Sequence, residues 1–452
     1  MNLLFKLMKN KFLLSVSILA FFSLSLFAQM QKNKGYPTAN PDLRSEFVNP
    51  PKGYGNIPFY WWSGDRLNKE RLKEQLEILS QSATDGFSVS YIHTDPEVDS
   101  VFNKNGYGLF GRTSPGNPPV FSEDWWNIWN WFSGECAQLG LGVGLDDYTI
   151  GWNGNGYYPD ELDTMSVFQN YQGKLVIDSY SVNKGELFTC RLPERFLSAV
   201  AWPGRIDLSG YIHGKELKWK VPRTENYKIY VIHTENSYVL HPLHGKKLVE
   251  VYFDRFYHRM DSLGREGMNY FFQDELSYPI NMLSWSDDFP QEFQRRKGYD
   301  VIPYLPALKE YIGAVTPKIR LDYADVLISL AEERYFEPIY RWHRDKGLIY
   351  GCDNLGRGKN PLAYVDYFRA ISWYTAPGND APSRGSSFLE TKVSSSVAHL
   401  YHRPRTWLEA FHSMGWGSSG SWLTQQIDHH FIAGGNLVCM HGLYYSTHGG
   451  WW

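Results

Sequence analysis

Two segments of the chain carry a glutamate at or near their end, placed where paired carboxylate chemistry would need one. The first reads Met268-Asn-Tyr-Phe-Phe-Gln-Asp-Glu275 and the second Arg403-Pro-Arg-Thr-Trp-Leu-Glu409-Ala-Phe411. Each is a short apolar or aromatic run, too brief for a helix, and reads as a buried strand. An acid just past such a strand lies where a sheet opens to solvent, so it is both fixed and accessible. Glu409 stands among Trp407, Leu408, Ala410 and Phe411, where an acid costs free energy unless it is paired or used. Two such acids from distant parts of the chain suggest glycoside hydrolysis, in which one carboxyl protonates the leaving oxygen and another attacks or activates water.

The elements that must position these acids alternate. Strands are expected near residues 57, 87, 141, 269, 348, 368, 404 and 436, with stretches of helical periodicity between them. One such helix is Asn68-Lys-Glu-Arg-Leu-Lys-Glu-Gln-Leu-Glu-Ile-Leu79, with Asn68 as its N-cap. Eight strands with intervening helices predict an α/β fold, a TIM (β/α)8 barrel. The rhythm breaks over residues 151–240, where short β-rich runs separated by Gly, Pro and Asn turns predict an all-β insertion after the third strand. The barrel is thus expected in two parts, 29–150 and 241–452. An open doubly wound sheet would want a Gly-rich turn after its first strand. Gly106-Tyr-Gly-Leu-Phe-Gly111 has the glycines but follows no strand.

Barrel active sites form at the C-terminal ends of the strands. The residues expected there are Trp62, His93, Asp146, Asp274, Asp353 and His441, as substrate-binding groups beside Glu275 and Glu409. Each has a purely structural alternative: Asp146 and Asp274 can bond loop amides or cap the next helix, and either histidine can be a satisfied strand-end residue. His93, Asp95 and Glu97 lie close in sequence but form a weak metal signal, so the metal ligands stay unknown. Hard oxygen sites for Ca2+ assembled from scattered acids leave no local motif.

Aromatic residues make up 16% of the chain. That suits stacking on sugar rings, although core packing accounts for most of them. A net charge of -3 and a pI near 6.5 provide no polybasic surface for nucleic acid. Residues 1–28 read as a signal peptide, with a basic start, an apolar run from Phe12 to Ala28 and no later membrane span. The expected location is periplasmic or secreted, and the expected partner is an oligo- or polysaccharide. Four dispersed cysteines, Cys136, Cys190, Cys352 and Cys439, have no metal-type spacing, and none is assigned to catalysis.

Several segments resemble glycoside hydrolase family 106. They are Lys392-Val-Ser-Ser-Ser-Val-Ala-His-Leu-Tyr401, the run Arg403–Phe411, and Asp428-His-His-Phe-Ile-Ala-Gly-Gly-Asn-Leu-Val-Cys-Met-His-Gly442. The entry from Pro50 through Pro58-Phe-Tyr-Trp-Trp-Ser-Gly64 and the turn Gly151-Trp-Asn-Gly-Asn-Gly156 belong to the same pattern. The resemblance implies a TIM-barrel α-L-rhamnosidase that inverts configuration, with its glutamate pair on Glu275 and Glu409 and a calcium ion that helps hold the sugar. Trp152 and Asn153, in the Gly151–Gly156 turn, are expected among the substrate-binding residues. Members of that family are longer, with β-sandwich domains after the barrel, so the resemblance implies either the barrel portion of a longer protein or an isolated barrel. His402-Arg403 stands where the family pattern leads one to expect Gly-Lys. Two other functions fit the same residues, a glycan-binding barrel without catalysis and a retaining glycosidase for another sugar. Carboxylate spacing separates the latter from an inverting enzyme.

Overall fold

The computed structural model describes residues 42–48, 53–62, 65–90, 117–118, 121–146, 160–274, 276, 278–353, 367–381, 388–411, 414 and 417–447. Three parallel strands come first: β1 (Phe59–Trp61), β2 (Gly86–Ser90) and β3 (Gly142–Asp146). The helix between β1 and β2, Lys69–Leu79, starts at Asn68, whose side chain accepts the Arg71 N–H at 3.0 Å. Its Leu72 and Leu76, one turn apart, are buried against the sheet. Ser122 caps Glu123–Gln138 in the same way.

Seven strands follow: β4 (Gln172–Val182), β5 (Leu187–Arg191), β6 (Phe196–Trp202), β7 (Ile206–Asp207), β8 (Ile212–His213), β9 (Glu216–Lys220) and β10 (Tyr227–Asn236). They form two antiparallel sheets, ordered β4-β10-β6-β7 and β5-β9-β8. Alternation along β10 shows why this stretch is extended. Ile229 and Val231 enter a core with Phe188, Leu217 and Trp219, while Tyr230 and Ile232 face the main body with Leu175 and Ile177.

The parallel pattern resumes with β11 (Met268–Gln273), β12 (Ile349–Cys352), β13 (Gly378–Ala381), β14 (Trp407–Ala410), β15 (Leu437–Met440) and β16 (Leu443–Tyr444). One parallel sheet runs β12-β11-β3-β2-β1-β16 and another β13-β14-β15. Single contacts join them on both sides. Ala376 bridges to Gly351 and donates its N–H to Tyr350 O at 3.0 Å, and Ile57 donates to Val438 O at 2.9 Å. Near this second junction the buried Arg405 guanidinium donates to Gly53 O at 2.7 Å and Asn436 O at 2.5 Å, and lies 4.2 Å over the Tyr54 ring. Among the described residues no helix is long and apolar enough to cross a membrane, and none of the four cysteines is in a disulfide.

The expected sixth strand, Tyr367–Trp373, is helical instead. Tyr367–Ala370 is α and Ile371–Trp373 is 3-10. Arg369 there donates to Glu332 at 2.9 Å and Asp325 at 2.8 Å, and the Trp373 indole donates to Glu332, which ties the segment to a neighbouring helix. The strand is Gly378–Ala381, a Gly-Asn-Asp-Ala run with no β signal of its own. Pairing with β14 imposes its conformation.

Side chains from the two parallel sheets divide by periodicity. Phe59, Trp61, Tyr270, Phe272, Ile349, Trp407, Leu437 and Cys439 form one cluster between the sheets. Their sequence neighbours Tyr60, Phe271 and Tyr350 belong to the larger core shared with the helices. Phe272 stacks on Trp407 with centroids 4.6 Å apart, which makes an aromatic floor beneath the strand ends. Gly351 is required here because a Cβ would lie 2.3 Å from the Trp407 ring. Gly351→Ala should therefore lower stability by about 1–3 kcal/mol in urea unfolding. Wild-type stability in that variant would show that the floor has slack.

Candidate active site

The C-terminal ends of the parallel strands carry acids. β3 ends in Asp146, β11 and β12 are followed by Asp274 and Asp353, and β13 and β14 contain Asp380 and Glu409. Asp146, Asp274, Asp353 and Glu409 are no more than 5% exposed. The pairing register explains the convergence. Gln273 stands opposite Cys352, which puts Asp274 beside Asp353, and Asp380 stands opposite Glu409.

Oxygens of Asp274, Asp353 and Glu409 lie within 4.8 Å of one another. Glu409 Oε1 is 2.8 Å from His441 Nε2. The His441 backbone N–H donates to Ala410 O at 3.0 Å, which sets the imidazole beside β14. Its ring also packs on Phe59 at 4.7 Å. Glu409 Oε2 is buried with no donor among the described residues. Ser90, at the end of β2, donates its hydroxyl to Asp146 Oδ2 at 2.5 Å.

Burial holds the Glu409 carboxyl well above the usual carboxylate range, and the charges of Asp353 and Asp380 push it further. Burial raises the Cys439 thiol, and the charges of Glu409, Asp146 and Asp353 add to it, which leaves it an inert packed thiol. Such a group of carboxylates either keeps a proton or takes up a cation. Carboxylate oxygens no more than 4.8 Å apart can all reach an ion with bonds of roughly 2.3–2.6 Å. Asp274, Asp353 and Glu409 therefore fit a hard divalent ion such as calcium, and the undonated Oε2 of Glu409 suits it.

Asp146, Asp274, Asp353, Glu409 and His441, all expected from sequence, are brought to the strand ends. Trp62 is a correction. It is fully buried on the helix side of β1, edge-on to Phe132 at 4.9 Å and near Trp129, so no sugar can stack on it. Successive side chains of a strand face opposite ways, and Trp61 is the one beside His441, at 6.1 Å. Glu275, His93, Trp152 and Asn153 lie outside the described residues, as do Asp95 and Glu97. Sequence reasoning missed Asp380 and Ser90. Asp380 was hidden by the misplaced sixth strand, whereas Ser90 was visible as a polar end to the apolar run of β2.

Residues 240–447 match the family model described as alpha-L-rhamnosidase, glycoside hydrolase family 106. A putative beta-glucuronidase of Formosa agariphila is 24% identical over 453 residues, which cover 83% of this chain and 35% of that protein. The structure of a rhamnosidase from Novosphingobium sp. PP1Y superposes with a TM-score of 0.66 at 12% identity, covering 90% of this chain and 57% of that one. At that identity the likeness is one of fold alone, an α/β fold. The chain spans about a third of the curated relative and somewhat over half of the structural one.

The raised Glu409 carboxyl has a consequence for stability. Its folded pKa lies above the unfolded value of about 4.3, so its stabilising proton is fully in place below that pH and is lost as pH rises through the folded pKa. Gln at this position stays neutral. With a chelator present, Glu409→Gln should match wild type near pH 4 and be the more stable of the two at pH 8. Urea unfolding across that range checks this, and equal stability at every pH would contradict it.

Proposed function

We propose that this chain, which belongs to glycoside hydrolase family 106 through residues 240–447, is the catalytic part of an exported, inverting, exo-acting α-L-rhamnosidase that removes terminal rhamnose from plant-type polysaccharides. The observation that carries this is Glu409, buried among other strand-end acids and held through Oε1 by His441. The parallel sheets are read as one closed (β/α)8 barrel, which the single bonds from Ala376 to Tyr350 and from Ile57 to Val438 support. Export rests on the basic start and apolar run of residues 1–28.

The acid–base pair is Glu275 and Glu409. Glu409 is assigned as the base that takes a proton from water, and Glu275 as the acid that protonates the leaving oxygen. A base must be ionised, which burial and Asp353 oppose at Glu409. Two features counter this. His441 can donate Nε2–H to Oε1, and Asp274 and Asp353 would hold a calcium ion beside Oε2. When bound, that ion would offset the carboxylate charge and offer open positions to sugar hydroxyls. Asp146, fixed by Ser90, and Asp380 would accept hydrogen bonds from the sugar.

A β-glucuronide is the rival substrate, from the name of the Formosa agariphila protein. The local electrostatics favour the neutral sugar. The described strand-end residues Trp61, Ser90, Asp146, Asp274, Asp353, Asp380, Glu409 and His441 include no Lys or Arg to meet a glucuronate carboxylate, and the acids repel it.

The purified chain is expected to cleave an aryl α-L-rhamnoside, not an aryl β-D-glucuronide, and to release β-L-rhamnose first by NMR. Glu275→Gln and Glu409→Gln should each lower kcat by about 10³ or more with the fold intact. Losses below tenfold at both positions, or first release of the α-anomer, would overturn the mechanism. Calcium should raise the Tm of wild type and leave Asp353→Asn unmoved. An equal rise in both would remove the proposed ion site.

A further inference from the structure

Gln273 is the last residue of β11 and faces away from the acids. It is 4% exposed, on the helix side of the sheet, because alternate strand residues point opposite ways. Three tyrosines converge on its amide. Tyr350 of β12 donates its hydroxyl to Oε1 at 2.8 Å, and Tyr374, just ahead of β13, donates to the same oxygen. Nε2 in turn donates to the Tyr335 hydroxyl at 3.3 Å. All three tyrosines are buried. The rings of Tyr350 and Tyr374 stack with centroids 4.7 Å apart, and Tyr335 packs on Tyr278, a few residues past the strand end, at 4.5 Å. Tyr335 comes from a π-helical turn, Glu332–Phe336, a feature frequent near functional sites.

The location of this amide gives it a task. Gln273 pairs with Cys352, so the next residues, Asp274 and Asp353, lie side by side with oxygens within 4.8 Å of one another. Two carboxylates that close repel when both are ionised, which would splay the ends of β11 and β12. The Gln273–Tyr350 bond joins those two strands one residue before Asp274, on the opposite face, and Tyr374 adds the entrance to β13.

We propose that Gln273 is a positioning residue, whose tyrosine-clamped amide holds the exit of β11, and with it Asp274, in place against β12 and β13. The kinetic side of the proposal rests on the glycosidase function. Its structural side does not.

Two variants test it. Gln273→Met keeps the volume and removes the amide, and the double variant Tyr350→Phe/Tyr374→Phe removes both donors to Oε1. Each is to be measured by steady-state kinetics on an aryl α-L-rhamnoside and by hydrogen–deuterium exchange of the peptide 268–280, at matched folded fraction. The expected result is a kcat at least tenfold lower with KM changed less than threefold, and at least tenfold faster exchange confined to that peptide. Combining the variants should add little, since both break one network. A kcat within threefold of wild type together with unchanged exchange would overturn the proposal, because a purely structural role would lower Tm alone. If wild type cleaves no rhamnoside, the functional proposal fails, and the exchange measurement still decides the clamp. If Gln273→Met does not fold, Tyr374→Phe alone is judged by the same two readouts.

Discussion

Carboxylates packed side by side away from water repel one another, and their mutual repulsion is the constraint that the strand-end architecture has to overcome. Asp274, Asp353 and Glu409 place oxygens within 4.8 Å of one another, with Asp146 and Asp380 close enough to raise the Glu409 carboxyl. No stability argument calls for such a group, since burying like charges costs free energy. It is the kind of local cost that a functional site bears and the scaffold offsets.

The offset comes from both faces of the strands. Between the sheets, the stacked Phe272 and Trp407, with Gly351 making room, form a floor that fixes the strands below the acids. On the helix side, the buried amide of Gln273 draws tyrosines from two further strand regions and a π-helical turn onto the exit of β11. At the other end, Arg405 ties the segment before β1 to the segment before β15. The acids themselves are ordered by register, because Asp380 must lie beside Glu409 once β13 pairs with β14.

Much of this was legible in the sequence, for physical reasons that also explain the failures. Glu409 stood out because an ionisable group in an aromatic run needs a reason to be there, and Asp146, Asp274 and Asp353 stood out as acids just past apolar strands. Trp62 was assigned to the site through a one-residue error of phase, which on a strand exchanges one face for the other. Asp380 was not legible, since Gly378-Asn-Asp-Ala381 has no β propensity and becomes a strand only through its partner. Gln273 could not be read either, because its partners lie 62, 77 and 101 residues away and nothing local marks a buried amide as a clamp.

The most direct test of the central claim, an inverting glutamate pair held among strand-end carboxylates, is a crystal structure with calcium in which the carboxyl groups of Glu275 and Glu409 are both seen. A separation of roughly 6.5–9.5 Å across one cavity, with room for a water, is the result expected of the inverting pair. A separation near 5–5.5 Å would indicate a retaining enzyme, and side chains facing different cavities would remove the pair altogether.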